Sequence, residues 1–117
     1  MASIDDPYTH KYPCPTGAFV VITVANEAKM SHWIETTVIE SSAGDKLLDF
    51  GRSWSTDNSS WIDDAKVRLQ MRRYPGDRSM IALVDCAAQT ITIESETPPV
   101  RSGQTLSFHE FLRSGAI

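Results

Sequence analysis

Cysteine is scarce in this chain: Cys14 and Cys86 are the two in 117 residues. Two are too few for a disulfide scaffold, and their separation has nothing of the paired spacing of a zinc site. Long apolar runs are also lacking. The longest, Ala18 to Ile22, falls far short of the roughly 20 residues that a membrane-crossing helix requires. Positive charge is outweighed, with 11 Lys and Arg against 15 Asp and Glu, for a net charge of −4. A general nucleic-acid binder wants a basic surface, so neither nucleic acid nor a membrane is an expected partner. The six glycines are scattered at turns, which leaves no glycine-rich phosphate loop. Gly-x-Ser-x-Gly is absent, and no His-x-x-x-His pair or comparable ligand spacing occurs. His10, His32 and His109 fall in three unrelated places and read as surface residues. No metal or cofactor is expected. The acidic start, Met1 to Asp6, lacks a basic end followed by an apolar run, and the expected location is cytoplasmic.

What is present is a strand pattern. From Val67 the residues alternate, with Val67, Leu69 and Met71 apolar and Arg68, Gln70 and Arg72 polar. A period of two places one set on a buried sheet face and the other in water. Tyr74-Pro75-Gly76-Asp77 then reads as a turn, proline presetting one φ and glycine supplying a positive one. The return run, Met80 to Val84, is apolar on both faces and is expected to lie centrally in its sheet. Cys86 closes that run as a buried thiol, whereas Cys14, between Pro13 and Pro15, is open to exposure.

Residues 1–16 read as an extended N-terminal arm, biased by Pro7, Pro13 and Pro15 and pinned by Tyr8 and Tyr12. Residues 17–117 read as a single β domain. Its expected strands are Ala18 to Ala25, Trp33 to Ser41, Lys46 to Phe50, the two strands of the central hairpin, and Thr90 to Glu94. Asn26 to Ser31 is an expected loop, and Gly44 supplies a hairpin turn. Ser107 and Glu110 have the spacing of a capping box, and Leu106 and Phe111 that of a hydrophobic staple. They predict a short C-terminal helix over 107–114 that docks through Phe108, Phe111 and Leu112, with Gly115 as its cap. The fold class is all-β, an antiparallel meander of about six strands ending in one helix. Both a sandwich and a half-open barrel fit it.

Pro15-Thr16-Gly17-Ala18-Phe19-Val20, followed by Val38 to Phe50 with its Gly44-Asp45-Lys46-Leu47 turn, resembles one blade of a β-propeller. Trp61-Ile62-Asp63-Asp64 leading into Val67 resembles the start of another. A propeller closes with about four blades at least, and this chain has strands for fewer than two, so the resemblance carries over no function.

Arg52 to Asp64 reads mostly as a long polar loop, with Trp54 and Trp61 flanking small hydroxyl and amide residues. Aromatic faces with short polar groups at their rim suit sugar and peptide recognition. Against this stands the ordinary fate of tryptophan, which is burial. The candidate binding residues are Trp54, Asp57, Asn58, Trp61, Asp63 and Asp64, with Arg68 and Arg72 on the polar face of the hairpin. The leading expectation is a non-catalytic module that recognises a protein partner, of inhibitor, immunity or adaptor type. A small-ligand or sugar-binding β-barrel is the first alternative. A small hydrolase using Glu35, Asp63 or Asp64 is the second.

Overall fold

The computed structural model describes residues 8–27, 33–74, 76–99 and 101–114. Among the described residues nine strands and one helix succeed one another: β1 (Thr9–Pro13), β2 (Phe19–Glu27), β3 (Trp33–Ser41), β4 (Lys46–Asp49), β5 (Trp54–Trp61), β6 (Lys66–Arg73), β7 (Ser79–Asp85), β8 (Thr90–Thr97), β9 (Thr105–Ser107) and α1 (Phe108–Arg113). They form two antiparallel meanders, a four-stranded sheet in the order β1-β2-β3-β4 and a five-stranded sheet in the order β5-β6-β7-β8-β9. The chain passes from one sheet to the other once, between β4 and β5. A single apolar core unites Val21, Ile39, Leu48 and Phe50 of the first half with Trp54, Leu69, Val84 and Ile93 of the second. The fold is therefore a β-sandwich, not a barrel and not propeller blades.

The central hairpin follows its alternation. Val67, Leu69 and Met71 are buried while Arg68, Gln70 and Arg72 are exposed. β7 occupies the middle of its sheet, with Met80, Ala82 and Val84 buried and Ile81 and Leu83 half-buried. Gly76 has φ +126°, and Pro75 lies outside the described residues. At the far end of β7, Asp85 Oδ1 accepts the N–H groups of Ala87 and Ala88, and Gln89 takes φ +58° to bring the chain back into β8.

Three parts of the chain depart from the pattern read in the sequence. Within the span expected to be an arm, Thr9–Pro13 pairs with Val20–Val24 as an edge strand. The stretch expected to be mostly loop is β5, paired with β6 from Trp54 to Trp61 around a bulge at Asp57. Its serines and threonines have no apolar alternation, but an edge strand needs only one partner ladder to satisfy its backbone. In α1 the capping box forms as expected: Ser107 Oγ accepts the Glu110 N–H at 3.0 Å, and Glu110 Oε1 accepts the Ser107 N–H at 2.8 Å. Phe108 and Phe111 are buried, but Leu112 points outward and is 42% exposed. The three positions span roughly 100° of the helix, and the sheets cover that stripe only as far as the two phenylalanines, with Leu112 at its open edge. The expected cap at Gly115 and most of the expected loop at Asn26 to Ser31 lie outside the described residues.

Behind α1 lies a buried ion cluster. The Glu96 side chain is fully buried. It accepts Arg101 Nη2 at 2.6 Å, the Arg101 N–H at 2.8 Å and Arg78 Nη2 at 3.0 Å. Arg101 also lies 5.5 Å over the Phe111 ring and donates to Ser114 Oγ, while Arg78 lies 6.0 Å from the Trp54 ring. Burial pushes the Glu96 carboxyl up, but the hydrogen bonds and charges of the two arginines outweigh it and hold it below its ordinary 4.5.

Leu69→Ala is expected to cost about 2–5 kcal/mol and Trp54→Ala about 3–5 kcal/mol in urea unfolding, whereas Gln70→Ala stays within about 0.5 kcal/mol. Because the folded pKa of Glu96 is depressed, its contribution is complete at neutral pH and is lost as pH falls below about 4.5 and through the folded value. Glu96→Gln is expected to cost about 3–5 kcal/mol at neutral pH, since two guanidinium groups lose their counter-charge. Its stability should also decline less on acidification than that of the native chain.

Candidate functional site

β5 is laid diagonally across the inner face of the first sheet. At its start the Glu35 N–H of β3 donates to Ser55 Oγ at 2.9 Å, and the hydroxyls of Thr37 and Thr56 bond to each other in the interior. At its end Trp61 Nε1 donates to the Tyr12 carbonyl of β1 at 2.8 Å. A strand running from β3 to β1 leaves one corner of the inner face beyond its reach. That corner carries the first residues of β1 and β3.

The uncovered residues follow from register. Tyr12 pairs with the core residue Val21, so Tyr8, His10 and Tyr12, spaced by two, share the inner side of β1. Trp33 and Glu35 share the parity of Thr37 and Ile39, which face inward on β3. Tyr8 and Trp33 lie parallel, their ring centroids 5.7 Å apart, and each is about half exposed (50% and 52%). His10 stacks on Tyr12 with centroids 6.5 Å apart. Between this aromatic shelf and β5 lies a pocket of about 110 Å³ lined by Tyr12, Thr23, Glu35, Thr56, Asp57, Asn58 and Ser59. Thr23 Oγ1 donates to Glu35 Oε1 at 3.1 Å. The bulge turns Asp57 out at the lip, where Arg72 grips it in a two-pronged pair at 2.7 and 3.0 Å.

The expected site residues divide. Asp57 and Asn58 line the pocket, and Trp61, half-buried, fastens its far end. Arg72 reaches the lip through Asp57. Trp54 is a core residue with no exposed surface, so it packs the sandwich and is not presented on a binding surface. Asp63 and Asp64 stand in the β5–β6 turn, beyond the other end of β5. Asp63 Oδ1 caps the Ala65 and Lys66 N–H groups there, and those bonds hold its carboxyl below the usual range. Arg68 is on the outer face of the second sheet, paired with Glu94 at 2.6 Å. Glu35 lines the pocket beside Thr56 to Ser59, whereas Asp63 is engaged in the β5–β6 turn and neither Asp63 nor Asp64 is among the lining residues.

Several site residues escape a reading of the sequence. Tyr8, His10 and Tyr12 sit among prolines and look like a tail, and Trp33 looks like any strand-opening aromatic. The alternation Tyr8-x-His10-x-Tyr12 is the signal that could have found them. Elsewhere, a broader trough of about 610 Å³ opens on the outer face of the first sheet, floored by Val24, Ile34 and Val38. Asn26, Thr36, Asp49 and Arg52 rim it, with Asp49 held by Lys46 and by the Gly51 N–H and Asn26 donating to Thr36. Cys14 is buried, not exposed. Burial raises its thiol, but hydrogen bonds from Thr16 and from the Phe19, Thr16 and Gly17 backbone outweigh that and lower it. Cys86 is pushed up to about 12 by burial, then by the charges of Asp85 and Cys14. His10 and His109 are exposed, and His32 lies outside the described residues. Among the described residues no group of three or more His, Cys, Asp or Glu is placed to hold a metal ion. Nor is any helix among them long and apolar enough to cross a membrane.

Fold and cleft together define an antiparallel β-sandwich that bears an aromatic and hydroxyl-lined cleft at one open corner. Comparison with known proteins finds no matching family model, no matching curated protein and no matching solved structure.

The Trp61–Tyr12 bond makes a local prediction. Trp61→Phe keeps most of the ring packing and removes the N–H, at an expected cost of about 0.5–1.5 kcal/mol. Hydrogen exchange should quicken at the β1 amides before those of β6 and β7, because β1 is an edge strand and Trp61 ties it to β5.

Proposed function

We propose that the protein is a non-catalytic binding module and that the corner cleft between β1, β3 and β5 is its binding face. The observation that carries this reading is the aromatic shelf: Tyr8, Tyr12 and Trp33 are 50%, 40% and 52% exposed beside a pocket of side-chain hydroxyls, carboxylates and an amide. Large aromatic side chains left in water cost hydrophobic free energy, and a cluster of them rimmed by polar groups is the composition of a recognition site. The setting supports the same reading, since strands of both sheets line the pocket. The carboxylates are engaged in positioning: Glu35 accepts from Thr23, and Asp57 is tied to Arg72. A binding face built this way moves the expected recognition surface from Trp54–Asp64 to a joint of three strands, with Asp57, Asn58 and Trp61 retained.

The cleft can be tested against the arginine-bearing outer face. The protein is applied to a mixed array of synthetic peptides and of neutral and acidic glycans, alongside Trp33→Ala, Tyr12→Ala and Arg68→Ala variants. Ligands captured by the native chain should be lost by the first two variants and kept by the third. Retention by the cleft variants and loss with Arg68→Ala would move recognition to the outer face of the second sheet. An array that captures nothing would count against a binding module.

A further inference from the structure

We infer that the outer face of the first sheet docks a second copy of this chain, packed face to face about a two-fold axis that runs along the strands. This surface is independent of the cleft, which opens on the inner side. β2 is apolar on both faces. Val21 joins the core, while Val20, Ile22 and Val24 point the other way, with Ile34 and Val38 of β3 beside them. These five aliphatic side chains form one patch, and the trough of about 610 Å³ opens over Val24, Ile34 and Val38. The outer face of the second sheet is of another kind. It carries Arg68, Gln70, Arg72 and Glu94, with Arg68 and Glu94 in an ion pair. An antiparallel sheet that meets only water on its outer side carries polar residues there, and a contiguous apolar patch marks a contact surface.

Register decides what fits this patch. Lys11, Ile22, Val38 and Asp49 stand opposite one another on β1, β2, β3 and β4 and form one row. The row reads cation, aliphatic, aliphatic, anion. A two-fold axis along the strands, passing between β2 and β3, lays β1 of each copy over β4 of the other. Lys11 then meets the partner's Asp49 at both ends, and Ile22 meets the partner's Val38 twice in the middle. Lys11 is exposed and has no carboxylate partner among the described residues. Asp49 accepts the Gly51 N–H through Oδ1. Its Oδ2 meets Lys46 at 3.4 Å with both side chains about half exposed, and so weak a surface pair leaves that oxygen open to a second cation. The next row ends in Glu40 beside Lys46, which adds no net charge. An axis across the strands would instead set Lys11 over Lys11 and Asp49 over Asp49, so charge selects the first arrangement. The face is thus its own complement. β2 and β3 run nine residues each beside shorter edge strands, a footprint of roughly 400 Å² per copy. Two such footprints make the size of a weak, reversible interface.

The test is analytical sedimentation of the intact chain from about 5 to 500 µM, a range that spans weak dimers. The native chain should pass reversibly from monomer to dimer. Val38→Lys, at the centre of the patch, should weaken the dimer by about tenfold or more. Lys11→Glu should weaken it because like charges then meet at both ends, and Asp49→Lys should do the same. An equal mixture of Lys11→Glu and Asp49→Lys should recover dimer, since each swapped charge then meets its opposite. Gln70→Lys, on the outer face of the second sheet, should change nothing. Circular dichroism and thermal melting of each variant separate a lost interface from a lost fold. If Asp49→Lys does not fold, Lys11→Glu, at an exposed edge position, and Val38→Lys carry the test. A native chain that stays monomeric throughout overturns the inference and leaves the patch to an unlike partner. A dimer that survives both Val38→Lys and Lys11→Glu also overturns it, because the contact then lies elsewhere. Failure of the mixture to recover dimer, with both variants folded, overturns the two-fold arrangement and the inference with it.

Discussion

A buried carboxylate holds the second half of this molecule together. Glu96 closes β8, yet its side chain points into the protein, where Arg101 and Arg78 meet it. Removing a carboxylate from water is expensive, and the cost is offset only when its lone pairs are filled and its charge is matched. Here both conditions are met, and each partner carries a second contact. Arg101 covers Phe111 and reaches Ser114, which fastens α1 to the sheet. Arg78 lies against Trp54, the largest side chain of the core. The cluster thereby sets where β7 begins, how the chain turns between β8 and β9, and where the helix sits. Phe111 in turn meets Phe50 edge-on at 5.7 Å, which carries the constraint across to the first sheet.

The two sheets are joined by unlike means at their two sides. The middle of the sandwich is apolar. Toward β5 the contact becomes a seam of hydroxyls and backbone groups, with Thr37 bonded to Thr56, Glu35 to Ser55 and Trp61 to Tyr12. Such directional bonds specify how β5 lies, where apolar contact alone would leave its angle loose. Val21 and Ile39 lie in the shared core while Tyr8, His10 and Trp33 remain at the surface, with Thr23, Glu35 and Thr56 lining the cleft between. The site is the part of the inner face that the second sheet does not reach.

The three tryptophans illustrate how differently one residue type is used. Trp54 fills the core with no exposed surface, Trp61 is half-buried and clasps two edge strands, and Trp33 stands in solvent against Tyr8. The arginines divide in the same way. Arg68 and Arg72 join carboxylates across the outer face of the second sheet, while Arg101 is almost wholly enclosed.

What the sequence determined by itself is local. Alternation at Val67 to Arg72 sets which side chains of β6 face the core, and the Ser107/Glu110 spacing starts the helix, because both depend on residues within a turn or two of one another. The antiparallel all-β class follows from the same short-range patterns. The tertiary structure decided whatever depends on a partner distant in the chain. β5 has no apolar alternation, and it is a strand because β6 pairs with it and β3 lies beneath it. Thr9–Pro13 is a strand because β2 supplies its hydrogen bonds. Trp54, Trp61 and Trp33 sit in similar local sequence surroundings and part ways only when the sheets pack. The cleft belongs wholly to this second kind: Tyr12, Glu35 and Asn58 come from three separate strands, and only the angle at which β5 crosses the first sheet sets them side by side.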